Sequence, residues 1–345
     1  MNAPVLKASP VARLRQAGGA SALRLRFLGV VLFVLLLGVL FTVLTPSFLT
    51  VSNGRSILFS ASVLAIAAAG QTLVVLTGNL DLSVGSIMGV SAYVVYDLAG
   101  DLPVLKPWVV LLAVVLGVLL GAVNGVLVAV LEIPSIVATL GTLAVYRGFV
   151  SVYANAREVS VGQLPGWIRR LTTAVWGSVP AAVWLALLVV VVVALALQFA
   201  PWGRRIYAYG SNPKAARFFG LDSRTIVLGA YVGAGVIAAL AGLVVGAQVG
   251  NINSLLANGI ELQVPAAVVV GGVSIWGGSG SVFGAALGAI VLAMINNGLV
   301  LLDVSEYYRL LFQGLAIILA VGVDAMVQNR VRTATRRRRI LEVSA

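Results

Sequence analysis

A short polar segment between two apolar runs holds the residues whose types and spacing best suit a polar site. It reads Thr77-Gly78-Asn79-Leu80-Asp81-Leu82-Ser83-Val84-Gly85-Ser86. Broken helices of this kind line polar paths in transporters, because bare backbone is tolerated at membrane depth only where protein or water satisfies it. A tight turn with Asp81 as a helix N-cap is an equally good interpretation. We take Asn79, Asp81, Ser83 and Gly85 as candidates for such a path.

Polar side chains also interrupt runs that are otherwise apolar. They are Gln71, Asn124, Thr139, Thr142, Gln248, Asn296, Asn297 and Gln313. Each is costly against lipid and is expected to face the interior, where hydrogen bonding between helices is its ordinary role. The candidates for lining a path are Gln71, Asn124, Thr139, Thr142, Gln248 and Asn296.

Several kinds of chemistry are excluded by residue type. The 345 residues include no histidine and no cysteine, which excludes imidazole or thiolate metal sites, disulfides and catalysis by either residue. No apolar run carries the central charges that proton-coupled transporters commonly require. The Gly-x-x-x-x-Gly-Lys-Ser/Thr phosphate-binding motif is missing too. We therefore expect a protein that is not an enzyme and whose energy comes from another subunit.

The composition indicates a polytopic membrane protein. The chain is 60% hydrophobic and 10% charged, with a mean hydropathy of +1.07, against about 45–50% apolar and about 25% charged residues in soluble domains. Ten apolar runs are long enough to predict membrane spans. They are Phe27–Leu44, Ile57–Thr77, Leu82–Leu98, Trp108–Leu131, Ile133–Tyr153, Val179–Phe199, Ile226–Val249, Leu262–Trp276, Val282–Leu302 and Tyr307–Met326.

The positive charges predict the orientation. Sixteen of the 23 lysines and arginines lie in the N-terminal tail, between spans six and seven, and after span ten. Short cytoplasmic loops hold the positive charge, so both termini are expected to be cytoplasmic. We thus expect an all-α membrane bundle over residues 27–327, with basic tails at 1–26 and 328–345. The net charge of +12 then reflects topology in a lipid bilayer and not a nucleic-acid partner.

The loop predicted on the cytoplasmic side, residues 203–224, carries a short helix signal. Asn212 can cap the helix, Pro213 fits its first turn and Gly220 can end it. Phe218 and Phe219 would be apolar anchors. An interfacial helix lying on lipid and a knob that docks in a groove of a soluble partner are equally good interpretations.

A glycine pattern hints at an internal repeat. Gly277, Gly284 and Gly288 repeat the spacing of Gly78, Gly85 and Gly89. Chance can produce such a match in a chain with 38 glycines. A parallel duplication would place the substrate path between the two halves.

Four motifs together resemble the sugar-type permease subunits of bacterial ATP-binding-cassette importers, the branch for ribose, xylose, rhamnose and autoinducer-2. Residues 78–86 look like the family's Gly-Gly-Ile-Asp-Leu-Ser-Val-Gly-Ser, with Asn79 and Leu80 departing from it. Residues 133–142, Ile-Pro-Ser-Ile-Val-Ala-Thr-Leu-Gly-Thr, match a second element. Residues 212–221 resemble the coupling segment, and 270–281 resemble a late glycine-rich turn.

This resemblance implies a function and a set of partners. It implies import of a pentose, a deoxyhexose such as rhamnose, or a related furanose across the bacterial inner membrane. The partners would be an ATP-binding subunit that holds ATP and magnesium, a periplasmic sugar-binding protein, and a second permease copy or paralogue. The implied coupling residues are Asn212, Pro213, Ala215, Ala216, Arg217, Gly220 and Leu221.

Two other functions stay open on the sequence. A branched-chain amino-acid permease has a similar helix plan, although the Asp-Leu-Ser-Val-Gly-Ser turn is not expected there. An ion-coupled transporter or channel is the alternative from an unrelated class, and the missing central charges count against it.

Overall fold

The protein is built almost wholly of helices. The computed structural model describes residues 28–315 and positions 318, 322 and 326, so the predicted tails 1–26 and 328–345 lie outside the described residues. The helices are α1 Leu28–Leu44, α2 Val51–Leu76, α3 Val84–Asp101, α4 Val109–Ala129, α5 Ser135–Ala154, α6 Gly166–Thr173, α7 Ala181–Phe199, α8 Pro201–Ser211, α9 Pro213–Phe218, α10 Ser223–Val249, α11 Ile260–Val270, α12 Val282–Leu301 and α13 306–315. A hairpin pairs β1 (Val175–Trp176) with β2 (Val179–Pro180).

The helices confirm a multi-pass membrane bundle. Six segments of the described chain are long and apolar enough to cross a bilayer: α2, α5, α7, α10, α12, and α4 together with the 3₁₀ turn before it. The other four predicted spans correspond to α1, α3, α11 and α13, and most of the predicted span Tyr307–Met326 after residue 315 lies outside the described residues. The predicted span Leu262–Trp276 is shorter than expected, because α11 ends at Val270 and the chain turns at Gly272 with a φ of +84°. The count of ten crossings remains a prediction.

The centre of the bundle is α10, which packs against α4, α2 and α3. The largest fully buried side chains of the described bundle are Tyr93 and Tyr96 on α3 and Tyr231 on α10. Almost every residue of α3 is buried, including Asp97, whose carboxylate accepts a hydrogen bond from the Tyr153 hydroxyl at 2.9 Å. Neighbouring helices therefore shield α3, and protein groups satisfy Asp97 and Ser86, whereas the buried Ser91 hydroxyl has no hydrogen-bond partner among the described residues.

Glycines allow α4 and α10 to approach closely. A Cβ atom on Gly235 would overlap the carbonyl oxygen of Gly117 and would lie 2.8 Å from the Cα atom of Gly121. All of these neighbours are backbone atoms, which cannot turn away. Close approach of small residues is a main source of stability between membrane helices, because burial from water does not drive their association.

Two helix breaks and the end of α8 meet in one tight contact, which we call the break joint. The turn after α2 contains Gly78, and the turn before α12 contains Gly277, with φ values of +80° and +84°. The Gly278 amide donates to the Leu76 carbonyl oxygen at 2.9 Å. A Cβ atom on Gly210, near the end of α8, would overlap that same oxygen. The two turns that share a glycine spacing thus lie against each other.

We expect Gly235→Ala to destabilise the protein, because the added methyl group must push α4 and α10 apart. The cost of such overpacking is about 1–3 kcal/mol. Gly141→Ala, on α5, is the matched control, since no atom lies within 4 Å of its Cβ position. Thermal unfolding of both variants in detergent measures the difference. Equal melting temperatures would contradict the close-packing argument.

Candidate translocation path and coupling segment

A chain of hydrogen bonds joins the break between α2 and α3 to α4 and α5. The Ser83 hydroxyl donates to Asp81 Oδ1 at 2.6 Å and accepts from Asn124 Nδ2 at 2.7 Å. The Asn124 amide oxygen accepts from Thr142 Oγ1 at 2.6 Å. All four side chains are buried. Four of the predicted path residues therefore form one cluster, which we call the Asp81 network.

The backbone of the break directs Asp81 into this network. Asp81 Oδ1 also accepts from the Ser83 amide at 2.8 Å, the pattern of an Asx turn. Ser83 is the N-cap residue of α3. The tight-turn interpretation is thus confirmed, with Ser83 and not Asp81 in the cap position. Leu80 is held from both sides, because its amide donates to Ser135 Oγ at 3.3 Å and its carbonyl accepts from the Tyr231 hydroxyl at 3.0 Å.

Three other predicted path residues lie apart from the Asp81 network. The Thr139 hydroxyl bonds within its own helix, to the Ser135 carbonyl oxygen at 2.8 Å. The Asn79 amide donates to Thr77 Oγ1 at 3.0 Å. Gln71 is 1% exposed, and neither polar atom of its side chain has a hydrogen-bond partner among the described residues. These side chains do not extend the network across the bundle.

Gly85 and Gly89 make room for two charged side chains, Glu261 and Arg147, that the sequence analysis did not single out. A Cβ atom on Gly85 would lie 2.5 Å from Glu261 Oε2, and one on Gly89 would lie 3.0 Å from Arg147 Nη1. Arg147 Nη1 donates to two carbonyl oxygens of the loop before α11, at 2.8 and 3.1 Å. Arg147 therefore fixes that loop against α5. The sequence could have indicated both residues, since Arg147 lies inside one predicted span and Glu261 directly precedes another.

Gln248 and Asn296 share a cavity of about 360 Å³ between α2, α10, α11 and α12. Gln263 and Ser60 also line it, so three amides and a hydroxyl face one space. Gln248 Nε2 is buried and has no hydrogen-bond partner in the described part of the chain. We call this space the amide cavity. Gln263 was overlooked although it lies inside the predicted span Leu262–Trp276.

A second cavity, of about 520 Å³, lies where the coupling segment meets the loop between α4 and α5. We call it the loop cavity. It is lined by Asn79, Val128, Ala129, Glu132, Ile133, Pro134, Ser135, Tyr209, Arg217, Leu221, Asp222, Ser223, Arg224 and Val227. Hydrogen bonds from the Thr225 hydroxyl and the Arg224 amide lower the pKa of the Asp222 carboxyl. This cavity therefore combines ionised groups of both signs.

The predicted coupling helix is present as α9. Asn212 Oδ1 caps it by accepting from the Ala215 amide at 3.0 Å, and Pro213 occupies its first turn. Gly220 follows the helix with a φ of +77°, a conformation that L side chains rarely adopt. Arg217 Nε donates to Ser223 Oγ at 2.8 Å, which ties α9 to the start of α10.

The surface of α9 is strongly apolar at one end. Phe218 and Phe219 are 93% and 85% exposed. Ala216 is buried, and Leu221 is half-buried against the core, so these two residues anchor the segment. The interfacial and the docking interpretations both remain compatible with this exposure. The helix α8, which precedes α9, was not predicted.

Removing Asn124 should break the Asp81 network at its centre. We expect Asn124→Leu and Thr142→Val each to lower stability, because each removes a buried hydrogen-bond partner. The double variant should lose less than the sum of the two, with a coupling of about 0.6 kcal/mol, the average measured between membrane helices. Unfolding of the three variants in detergent completes the cycle. Strictly additive losses would show that the two side chains do not interact.

The chain is similar to known permease proteins over most of its length. The family model described as branched-chain amino acid transport system / permease component matches residues 54–321. The ribose import permease protein RbsC of Escherichia coli K12 is 38% identical over 289 residues, covering 81% of this chain and 88% of that protein. Two proteins named autoinducer 2 import system permease protein LsrC are also similar. The protein from Photorhabdus luminescens is 35% identical over 84% of this chain and 86% of its own length, and the one from E. coli O157:H7 is 37% identical over 89% of both.

No solved structure matches the chain. The family match covers the break between α2 and α3, the Asp81 network, the coupling helix and both turns of the break joint. The chain therefore belongs to this family of transport-system permease components, which its sequence matches over residues 54–321.

Proposed function

We propose that the chain is the permease subunit of an ATP-binding-cassette importer for a monosaccharide or a similar small polyol in the bacterial inner membrane. The relatives named for ribose and autoinducer 2 import support this substrate class. The amide cavity is the observation that carries it. Its lining of amides, one hydroxyl and apolar side chains includes no charged residue.

That lining suits a neutral ligand with many hydroxyl groups. Each amide offers both donors and acceptors, which is what a sugar hydroxyl needs. The unpartnered Gln248 Nε2 leaves one such donor available. An amino-acid zwitterion would bring two charges into a site with no counter-charge, which is costly in a low dielectric. The cavity volume of about 360 Å³ is within the range of small-molecule sites.

The energy would come from partner subunits. We propose that a separate ATP-binding subunit holds ATP and magnesium, that a sugar-binding protein delivers the ligand, and that a second permease copy or paralogue completes the path. Ten crossings with both termini cytoplasmic would present α9 to the ATP-binding subunit, and the exposed Phe218 and Phe219 give it an apolar contact surface.

Movement of α9 would then be transmitted to the bundle. Arg217 ties α9 to α10 through Ser223, and the preceding helix α8 ends in the break joint. A rigid displacement of this segment would therefore also displace the two helix breaks that the end of α8 contacts. Such rocking between two openings is the usual form of transporter switching.

Substitutions in the amide cavity should impair uptake without stopping ATP hydrolysis. We expect Gln248→Leu and Asn296→Leu each to lower ligand affinity about tenfold, since an unpaired sugar hydroxyl costs about 1–3 kcal/mol. Asn297→Leu is the control, because Asn297 bonds to Asn53 at 2.8 Å and does not line the cavity. Concentration-dependent uptake into vesicles measures the effect. Unchanged affinity in both cavity variants would remove the cavity from the path.

Gly220→Val should uncouple ATP hydrolysis from transport, because a branched side chain resists the left-handed conformation beside α9. Gly177→Val is a matched control: Gly177 also has positive φ, at +57°, and also has open space at its Cβ position, but lies in the β1–β2 hairpin. Arg217→Ala should share the Gly220 phenotype. Uptake and ATPase activity of the assembled complex are the measurements. Wild-type uptake in Gly220→Val and Arg217→Ala would refute the proposal that α9 transmits its movement to the bundle.

The proposal as a whole is tested by purification of the tagged chain from its native membrane. An ATP-binding subunit should co-purify, and its activity should rise with one sugar-loaded binding protein. Stimulation by a branched-chain amino acid instead would favour the other substrate class. Transport by the lone chain in liposomes without ATP would overturn the importer proposal.

A further inference from the structure

A narrow groove runs along the outside of the bundle between α2, α7 and α12. It has a volume of about 250 Å³ and is lined by Leu58, Ala61, Ser62, Ala65, Val183, Ala186, Leu187, Val190, Phe283, Ala286, Leu287 and Ile290. The hydroxyl of Ser62, the one polar side chain among these, is bonded within its own helix to the Leu58 carbonyl oxygen. The groove surface is therefore apolar.

The groove opens outward at the depth of the membrane. Leu187 and Phe283, on two of its walls, are 48% and 47% exposed. All three helices that form it are long and apolar enough to span a bilayer. Small alanines on each wall, such as Ala61, Ala186 and Ala286, set its depth. A flexible hydrocarbon chain fits such a slot.

A cavity of about 400 Å³, which we call the Arg204 cavity, adjoins the groove at Phe283, which lines both spaces. This cavity lies where α7 ends and α8 begins, which is a boundary of the membrane. Its polar lining consists of Gln198, Arg204, Tyr207 and Ser281. Two adjoining spaces are thus present, the groove with an apolar lining and the Arg204 cavity with a basic group.

The polar groups of the Arg204 cavity have hydrogen-bonding capacity left. Arg204 is exposed and gives one N–H to the Phe199 carbonyl oxygen at 3.3 Å, so the other donors of its guanidinium are unused by the described residues. The Tyr207 hydroxyl donates to the Gly280 carbonyl oxygen at 3.0 Å, and its oxygen can still accept. The arginine fork matches a phosphate group.

We propose that the groove and the Arg204 cavity together bind one anionic phospholipid. An acyl chain lies between α2, α7 and α12, and the headgroup phosphate pairs with Arg204. Charge complementarity at one end, joined through Phe283 to an apolar slot at membrane depth, selects a phospholipid over a soluble phosphate or a purely apolar ligand. Basic pockets between membrane helices recognise anionic headgroups in this way.

The test is native mass spectrometry of the full purified chain, titrated with phosphatidylglycerol and, separately, with phosphatidylethanolamine. Arg204→Ala should weaken retention of phosphatidylglycerol about fivefold, the effect of one basic residue at a lipid surface. Arg205→Ala is the matched control, because it removes the same charge one residue along α8 and does not line the cavity. Equal retention by the two variants overturns the proposal, as does an unmodified chain that retains no lipid.

A second variant tests the apolar slot independently of charge. Ala286→Phe should fill the groove and weaken retention of both phospholipids. Ala286→Val should do so to a smaller extent in a chain that still folds.

Soluble glycerol phosphate should not compete with phosphatidylglycerol. Competition by glycerol phosphate would indicate a free-phosphate site. A change in oligomeric state without a change in bound lipid would indicate that a second copy occupies the groove; either outcome contradicts the proposal.

Discussion

The structure depends on one constraint: where a helix breaks among apolar neighbours, water is not there to satisfy its backbone, so protein must do so. The break between α2 and α3 meets this constraint in two ways. The Ser83 amide is satisfied by Asp81, and the amide and carbonyl of Leu80 are satisfied by hydroxyls from α5 and α10. The same hydrogen bonds fix where α5 and α10 lie relative to the break. Local backbone chemistry thus determines the arrangement of distant helices.

This constraint separates structural polar residues from those available to a ligand. Both polar atoms of the Asn124 side chain are engaged in joining Ser83 to Thr142, so its contribution is geometric. Gln248, by contrast, keeps an unpartnered nitrogen beside an open cavity. A buried polar atom without a protein partner in the described chain is where a substrate hydroxyl gains most. The two sets were indistinguishable in sequence, since each residue simply interrupts an apolar run.

Local features were predictable to the extent that neighbouring residues determine them. The cap at Asn212, the turn at Gly220 and the helix between them follow from adjacent residue types, and all three are present. The pairing of Ser83 with Asn124, 41 residues apart, depends on how helices pack and could not be read from spacing. The end of α11 at Val270 was missed because the apolar run continues past it. Arg147 was not singled out, because its partners are carbonyl oxygens of a loop more than 100 residues further along the chain.

The break joint also bears on how the chain assembles as it is synthesised. One of its turns follows α2, the second precedes α12, and the end of α8 contacts both. About 200 residues separate Gly78 from Gly277, so the first turn emerges from the ribosome long before its partner. Until then the Leu76 carbonyl lacks the Gly278 amide that satisfies it. The break joint is therefore incomplete until the turn before α12 has been synthesised.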